Sequence, residues 1–239
     1  NRNATLAGEI ASKAPPDGYT LTTGATNFWL GPLLGPAPFD AVRDLAPITL
    51  AVTTPCILVV HPSLQANSVK ELIALAKAKP GELNFSTGST GSTTHLAAEL
   101  FKSMAGIDIV RIPYPGSEVI PLIIGEVQLT IVDAGKILPH AKSGKLKALA
   151  VTSSEPTALA PGLPTVAATG LPGYEAMGAT GMWAPIKTPA SIINRLNQEL
   201  VRFLNTAEAK ERFLASGAEA VGSSPDEFST KIKSEITKT

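Results

Sequence analysis

The 239-residue sequence has a single cysteine, Cys56, so no disulfide can close within the chain. Cys56 lies in the apolar run 55–60 and reads as a small buried hydrophobe rather than a reactive thiol. Charge of one sign is not in excess: 20 Lys and Arg face 20 Asp and Glu. That balance excludes electrostatic capture of nucleic acid or of an acidic membrane surface. No stretch reaches the roughly 18–20 apolar residues of a membrane span. The opening Asn1-Arg2-Asn3 has no signal-peptide character, so location cannot be read from these residues. The only histidines are His61, His95 and His140, and none has a metal-ligand partner at a useful spacing, so no metal site is expected. A nucleophile elbow is lacking too, because Gly88-Ser89-Thr90-Gly91 misses its spacing. A Ser/His/Asp set would have to be assembled from Ser92, His95 and Asp133, and nothing in the pattern supports it. No catalytic residue and no cofactor is expected.

Glycine and proline are plentiful at 20 each, and aromatics are few at 5%, which suits many short elements and turns. Ser68 and Glu71 form a capping box opening a helix to Lys79, ended by Pro80-Gly81. A short strand 83–85 leads into the polar loop 86–94. A helix from His95 to Met104 follows, with Leu96, Leu100, Phe101 and Met104 inward and Gly106 as its stop. Strands are expected at 107–112, 127–132, 146–151 and 180–184, and short helices at 117–124 and 137–142. Glu155 to Tyr174 reads as connecting chain. Thr188 as N-cap and Pro189 at the first position start the longest helix, whose buried stripe is Ile192, Ile193, Leu196, Leu200 and Phe203. A capping box from Asn205 to Glu208 and another from Ser224 open the last two helices. The alternation of strands and helices predicts an α/β fold with parallel βαβ units.

The loop after Phe85 is the most informative local feature. It sets hydroxyls and two glycines between a strand end and a helix start, where unpaired amides and the helix dipole favour an anion. It reads either as a carboxylate or phosphate site or as a plain polar loop with an N-cap. The glycine spacing is not that of a P-loop. His95, in the first helical turn, is open to ligand contact or to a capping role. Asp133, at a strand end, suits a cation or amine, or an N-cap. Tyr114 either lines a cleft or packs in the core. Phe28 and Trp29 either stack on a ligand or pack between elements, the second being preferred.

Several segments resemble the Bug-type solute receptors of tripartite tricarboxylate transporters. They are Ala14-Pro15-Pro16-Asp17-Gly18-Tyr19-Thr20-Leu21, Phe39-Asp40 through Ile48, the helix 68–81, the loop 86–95, Pro113-Tyr114, residues 143–152 and Leu163-Pro164-Thr165-Val166. The likeness covers nearly the whole chain. It implies a two-lobed periplasmic binding protein of type II, with mixed or parallel sheets flanked by helices. Lobe one would be 1–55 with 156–239 and lobe two 56–155, with crossings near Thr54–Val60 and Val151–Glu155. The resemblance implies a non-enzymatic periplasmic receptor for a di- or tricarboxylate or an aromatic acid, held in the interlobe cleft. It would be monomeric, would not insert in the membrane and would meet a membrane transporter transiently. A signalling partner in place of the transporter, or an α/β hydrolase, are the alternatives. Carried over by position, the ligand residues are Thr23, Gly24, Ala25, Thr26, Asn27, Ser86, Thr87, Gly91, Ser92, Thr93, His95, Asp133, Ala134, Thr180 and Gly181, with Met182 beside them. Two local departures are Pro115, where the family usually has Lys or Arg, and Gly125-Glu126-Val127-Gln128. The family's first strand and first Gly-rich loop would precede Asn1.

Overall fold

The computed structural model describes residues 2–33, 35 and 37–238. In chain order the elements are α1 (Arg2–Lys13), β1 (Thr22–Ala25), α2 (Asn27–Leu30), β2 (Leu45–Val60), α3 (Val69–Ala78), β3 (Asn84–Thr87), α4 (Thr93–Ala105), β4 (Val110–Pro113) and α5 (Val119–Ile123). They continue as β5 (Leu129–Asp133), α6 (Ala134–Lys142), β6 (Lys147–Val151), α7 (Val166–Thr169), β7 (Met177–Pro185), α8 (Ala190–Leu204), α9 (Ala207–Ala215), β8 (Glu219–Ala220) and α10 (Pro225–Lys238). The fold is α/β with mixed sheets flanked by helices, as expected. The chain divides into two compact units: Asn1–Thr53, Ala179–Ala215 and Glu219–Thr239 form the first, and Thr54–Gly178 with Ser216–Ala218 the second.

In the second unit, β3 pairs parallel with β4 and β5, while the end of β2 pairs antiparallel with β5 and β6. The apolar run in β2 is explained by its two faces. Cys56, Leu58 and Val60 enter one core cluster with Phe85, Phe101 and Tyr174, while Ile57 and Val59 enter another with Leu122, Val132 and Ile137. A strand covered on both faces needs no polar alternation. Each such buried side chain stabilises by about 1.5–3 kcal/mol. Caps fix the helices. Ser68 Oγ accepts the Glu71 amide at 3.2 Å, and Glu71 Oε2 accepts the Asn67 amide at 2.8 Å. Gly106, left-handed at φ 59°, ends α4.

The inward face of α4 differs from the expected one. Thr94, Ala97, Ala98, Phe101 and Ala105 are buried, while Leu100 and Met104 are exposed. The alanines let the helix approach the sheet closely, which turns the larger side chains outward. Residues 156–178 also pack with the second unit, rather than with the first lobe as the resemblance had it. Val166, Leu171 and Tyr174 join its core, and the Tyr174 hydroxyl donates to Ala97 O at 2.9 Å.

In the first unit, β1 pairs antiparallel with β7, which neighbours β2; β8 pairs with β2 at Val52 and Thr53. Its core is aromatic: Phe28 stacks near Phe39 and Trp183, and Trp29 and Trp183 both meet Phe228. Three sequence expectations shift here. Pro189 is extended at ψ 139° and is itself the cap of α8, so the helix starts one residue later than expected and Thr188 is not its cap. Ile193, Leu196 and Leu200 line α8 against Ile48 and Ala184, but Phe203 is exposed and Leu204 is buried in its stead. The cap of α9 is Thr206, whose Oγ1 accepts the Ala209 amide at 3.2 Å, rather than Asn205. The Ser224 box is formed reciprocally: Glu227 N donates to Ser224 Oγ at 3.2 Å and Ser224 N to Glu227 Oε2 at 2.9 Å.

Candidate functional site

The parallel pair β3 and β5 ends side by side in the second unit, so the loop after Thr87 and the turn at Asp133 are neighbours there. This is the carboxyl end of parallel strands, where open α/β sheets place ligands. Ser86 and Thr87 are fully buried, and their hydroxyls are engaged by the protein itself. Ser86 Oγ donates to Glu118 O at 2.6 Å, and Thr87 Oγ1 donates to Gly88 O at 3.2 Å while accepting from Arg111. Both shape the loop from beneath. The exposed tip is Ser89 and Thr90. Ser92 caps the 13-residue α4, its Oγ accepting the His95 amide at 3.3 Å and contacting Thr94 Oγ1 at 3.0 Å. The first amides of α4, at Thr93 and Thr94, have no acceptor within the helix and sit at its positive end.

Arg111, on β4, holds this loop, and sequence reasoning gave it no role. Its Nε donates to Thr87 Oγ1 at 2.8 Å, its Nη2 to Gly88 O at 3.2 Å, and both Nη atoms to Thr90 Oγ1 at 3.3 Å. All these acceptors are neutral, and no carboxylate among the described residues pairs with the guanidinium, so its charge stays uncompensated beside the loop. The only available signal was a cation in a strand next to a polar loop, and strand periodicity does not say which loop a side chain reaches.

His95 belongs to the same arrangement. The Gly91 amide donates to its Nδ1 at 3.1 Å, which puts the neutral ring's proton on Nε2. Burial, and next the positive Arg111, hold its pKa below the ordinary 6.5. No Ser/His/Asp triad forms among the described residues: Nδ1 is taken by Gly91, Nε2 faces Glu99 at 3.9 Å, and Asp133 contacts other groups.

Asp133 stands at the N-cap position of α6, yet its side chain makes no capping bond. Its Oδ1 instead accepts from the Cys56 thiol at 3.7 Å, opposite it in the β2–β5 register, and Oδ2 lies 3.3 Å from Lys136 Nζ. Burial, and next the Asp133 carboxylate, push the Cys56 thiol well above its usual range, so it stays a neutral donor. Lys136 also faces Glu118 Oε2 at 3.8 Å. Glu118 went unremarked in the sequence, though its side chain is only 7% exposed. Ala134 is fully buried, and Tyr114 is half-buried with its hydroxyl donating to Glu126 Oε2 at 3.1 Å.

The first-unit candidates fall on the β1–β7 ladder, where Thr23 opposes Met182, Gly24 opposes Gly181 and Ala25 opposes Thr180. Thr23 and Ala25 are exposed, whereas Gly24 and Gly181 are buried because the Phe28 and Phe228 rings lie where their side chains would be. Thr26 is buried too, its Oγ1 accepting the Ala179 amide at 3.0 Å. Asn27 is half-buried at the start of α2. Phe28 and Trp29 are each 2% exposed, so the core reading of them holds and neither offers a face to a ligand. Among the described residues no group of acidic, histidine or cysteine side chains could hold a metal ion, and no helix is long and apolar enough to cross a membrane.

Comparison with known proteins places this geometry in a lineage. Protein BugT of Bordetella pertussis is 35% identical over 235 residues, covering 96% of this chain and 72% of BugT. The solved structure of R. palustris Rpa4515 with adipate superposes with a TM-score of 0.83 at 32% identity, covering 98% of this chain and 80% of that one. The periplasmic binding protein BugD gives a TM-score of 0.81 at 27% identity, again covering 98% of this chain and 80% of that one. The model of the tripartite tricarboxylate transporter family receptor, TctC, matches residues 3–239, and the chain belongs to that family.

Proposed function

We propose that this receptor binds a small carboxylate at the second unit's loop 88–95 and hands it, unconverted, to a tripartite-type membrane transporter. The observation that carries the reading is the start of α4. Its first amides and the capping Ser92 lie at the helix's positive end, and among the described residues no carboxylate pairs with the Arg111 guanidinium that holds the same loop. Neutral donors and a nearby fixed charge suit a carboxylate that must be bound and later released. Of the residues carried over by resemblance, Ser92, Thr93, His95 and Gly91 are the proposed ligand-facing set, with Ser86 and Thr87 supporting them. The relative solved with adipate supports a dicarboxylate, and BugD supports a periplasmic location. The burial of Phe28 and Trp29 removes the reason to favour aromatic acids.

The test is a thermal-shift and calorimetric screen against carboxylic acids, adipate among them. An acid at a hundredfold excess over its Kd should stabilise the fold by about 2.7 kcal/mol, and should be recovered unchanged after long incubation. A cooperative melt that no acid shifts, or conversion of the bound acid, would refute the reading.

A further inference from the structure

We propose that His95 is a proton-operated catch on the turn 89–92. Its neutral ring holds the Gly91 amide; on acidification the ring leaves that amide for Glu99, and the turn gives up its grip on an anion. Only the last step rests on the carboxylate reading. The turn is closed by Ser92 N donating to Ser89 O at 3.0 Å, with Gly91 left-handed at φ 80°. Gly91 is buried, so its amide needs an acceptor inside the protein. That acceptor is the lone pair on His95 Nδ1, at 3.1 Å. Only the neutral ring has it. A proton on Nδ1 sets one donor against another and leaves a buried amide unpaired. The turn and the protonated ring therefore cannot both stay where they are.

The protonated ring has a second partner within reach. Its Nε2 faces Glu99 Oε1 at 3.9 Å, one helical turn along α4. Glu99 also faces Lys102 Nζ at 3.6 Å. The charged groups acting on the ring are Arg111, reaching over from β4, and Glu99 and Lys102 on its own helix. Arg111 contacts Gly88 and Thr90 in the loop itself, so its repulsion and the pull of Glu99 both draw a charged ring away from the turn. The side chain is 14% exposed, which gives a proton access. Burial first, then Arg111, hold the ring's pKa below the ordinary 6.5, so the catch is closed at neutral pH and opens on the acid side. An anion at the first amides of α4 needs the Gly91–Ser92 backbone in place, and so binds the closed form.

The experiment is amide and imidazole NMR of the chain from pH 8 to pH 5, with adipate calorimetry over the same range. The Gly91 amide shift should follow the His95 ring with a common midpoint below 6.5. Glu99→Gln should lower that midpoint further. In His95→Gln the side-chain oxygen can accept the Gly91 amide but takes no proton, so the Gly91 shift should stay flat. One pH unit below the midpoint only about one molecule in eleven keeps the neutral ring, so adipate should bind about tenfold more weakly than at neutral pH. That loss is counted beyond the pH slope of His95→Gln, which reports the acid's own protonation. A Gly91 shift that does not follow His95, a midpoint at or above 6.5, or the same adipate pH slope in wild type and His95→Gln would overturn the inference. Should adipate not bind at any pH, the Gly91 titration alone decides the catch, and the acid panel decides the carboxylate reading. The wild-type titration needs no variant, so a failure of either variant to fold leaves the test in place.

Discussion

Replacing Arg111 with Met keeps the aliphatic stem and removes every donor that holds the loop 87–90. The largest loss is the Nε bond to Thr87 Oγ1, at 2.8 Å and directed at a fully buried hydroxyl. A hydrogen bond with one charged partner contributes about 1.5–3 kcal/mol, and partial exposure sets this one at the lower end. The bond to Gly88 O, 3.2 Å and part-buried, adds somewhat less. The contacts to Thr90, at 3.3 Å on the exposed tip, add little. The sum is about 2 kcal/mol, which lowers the melting midpoint of a chain this size by about 4–8 °C. Arg111→Lys keeps the charge but not the fork that spans Thr87, Gly88 and Thr90, so it should fall between. The assay is far-ultraviolet circular dichroism on heating, with imidazole NMR on the same samples. Loss of the guanidinium should also raise the His95 pKa, since Arg111 is among the causes that lower it. A midpoint within about 1 °C of wild type for Arg111→Met would refute the claim that this side chain builds the loop.

Further predictions concern His95 in the same loop and the β1–β7 ladder of the first unit. The His95 pKa is lowered in the folded state, so the unfolded chain takes up protons first on acidification. Its contribution to stability is complete above about pH 6.5 and is lost as pH falls below that value through the folded pKa, as the Gly91 amide loses its acceptor. Urea midpoints measured from pH 8 to pH 5 should show this decline, and His95→Gln should reduce it. Gly181→Ala drives a methyl into the Phe228 ring and should cost about 1–3 kcal/mol by overpacking, whereas Thr23→Ala on the exposed side of the same ladder should stay within about 0.5 kcal/mol in urea denaturation.

Local rules were legible in the sequence wherever the partners are close in the chain. Ser68 with Glu71 and Ser224 with Glu227 each sit within a single helical turn, and both are capped as the pattern implies, whereas α4 starts at Thr93 with Ser92 as its cap, two residues before the expected His95. The loop 86–95 was likewise legible as a donor-rich turn. What escaped is what only the sheet brings together. Arg111 reaches Thr87 across 24 positions, and Ser86 holds Glu118 across 32. Nothing in the spacing of those residues encodes the contact. The burial of Glu118 follows from the same long-range packing, and so does the inward turn of Ala97 and Ala98 in place of Leu100 and Met104. The 16-residue β2 was not read as a strand from its own residues, and only the family resemblance implied a crossing near Thr54–Val60. The helix α1 was not recognised, and the family resemblance assigned 156–178 by analogy where Val166, Leu171 and Tyr174 decide otherwise.

The aromatic core of the first unit gives the molecule an unplanned optical label. The chain has two tryptophans, and both Trp29 and Trp183 lie in that one cluster. Indole emission therefore reports on the first unit alone, while the second is visible in the near ultraviolet through Tyr114 and Tyr174. A fluorescence melt would follow Gly181→Ala directly and would register Arg111→Met only to the extent that the two units unfold together. Comparing emission with the far-ultraviolet signal on the same heating ramp thus measures how strongly the unfolding of one unit is tied to that of the other.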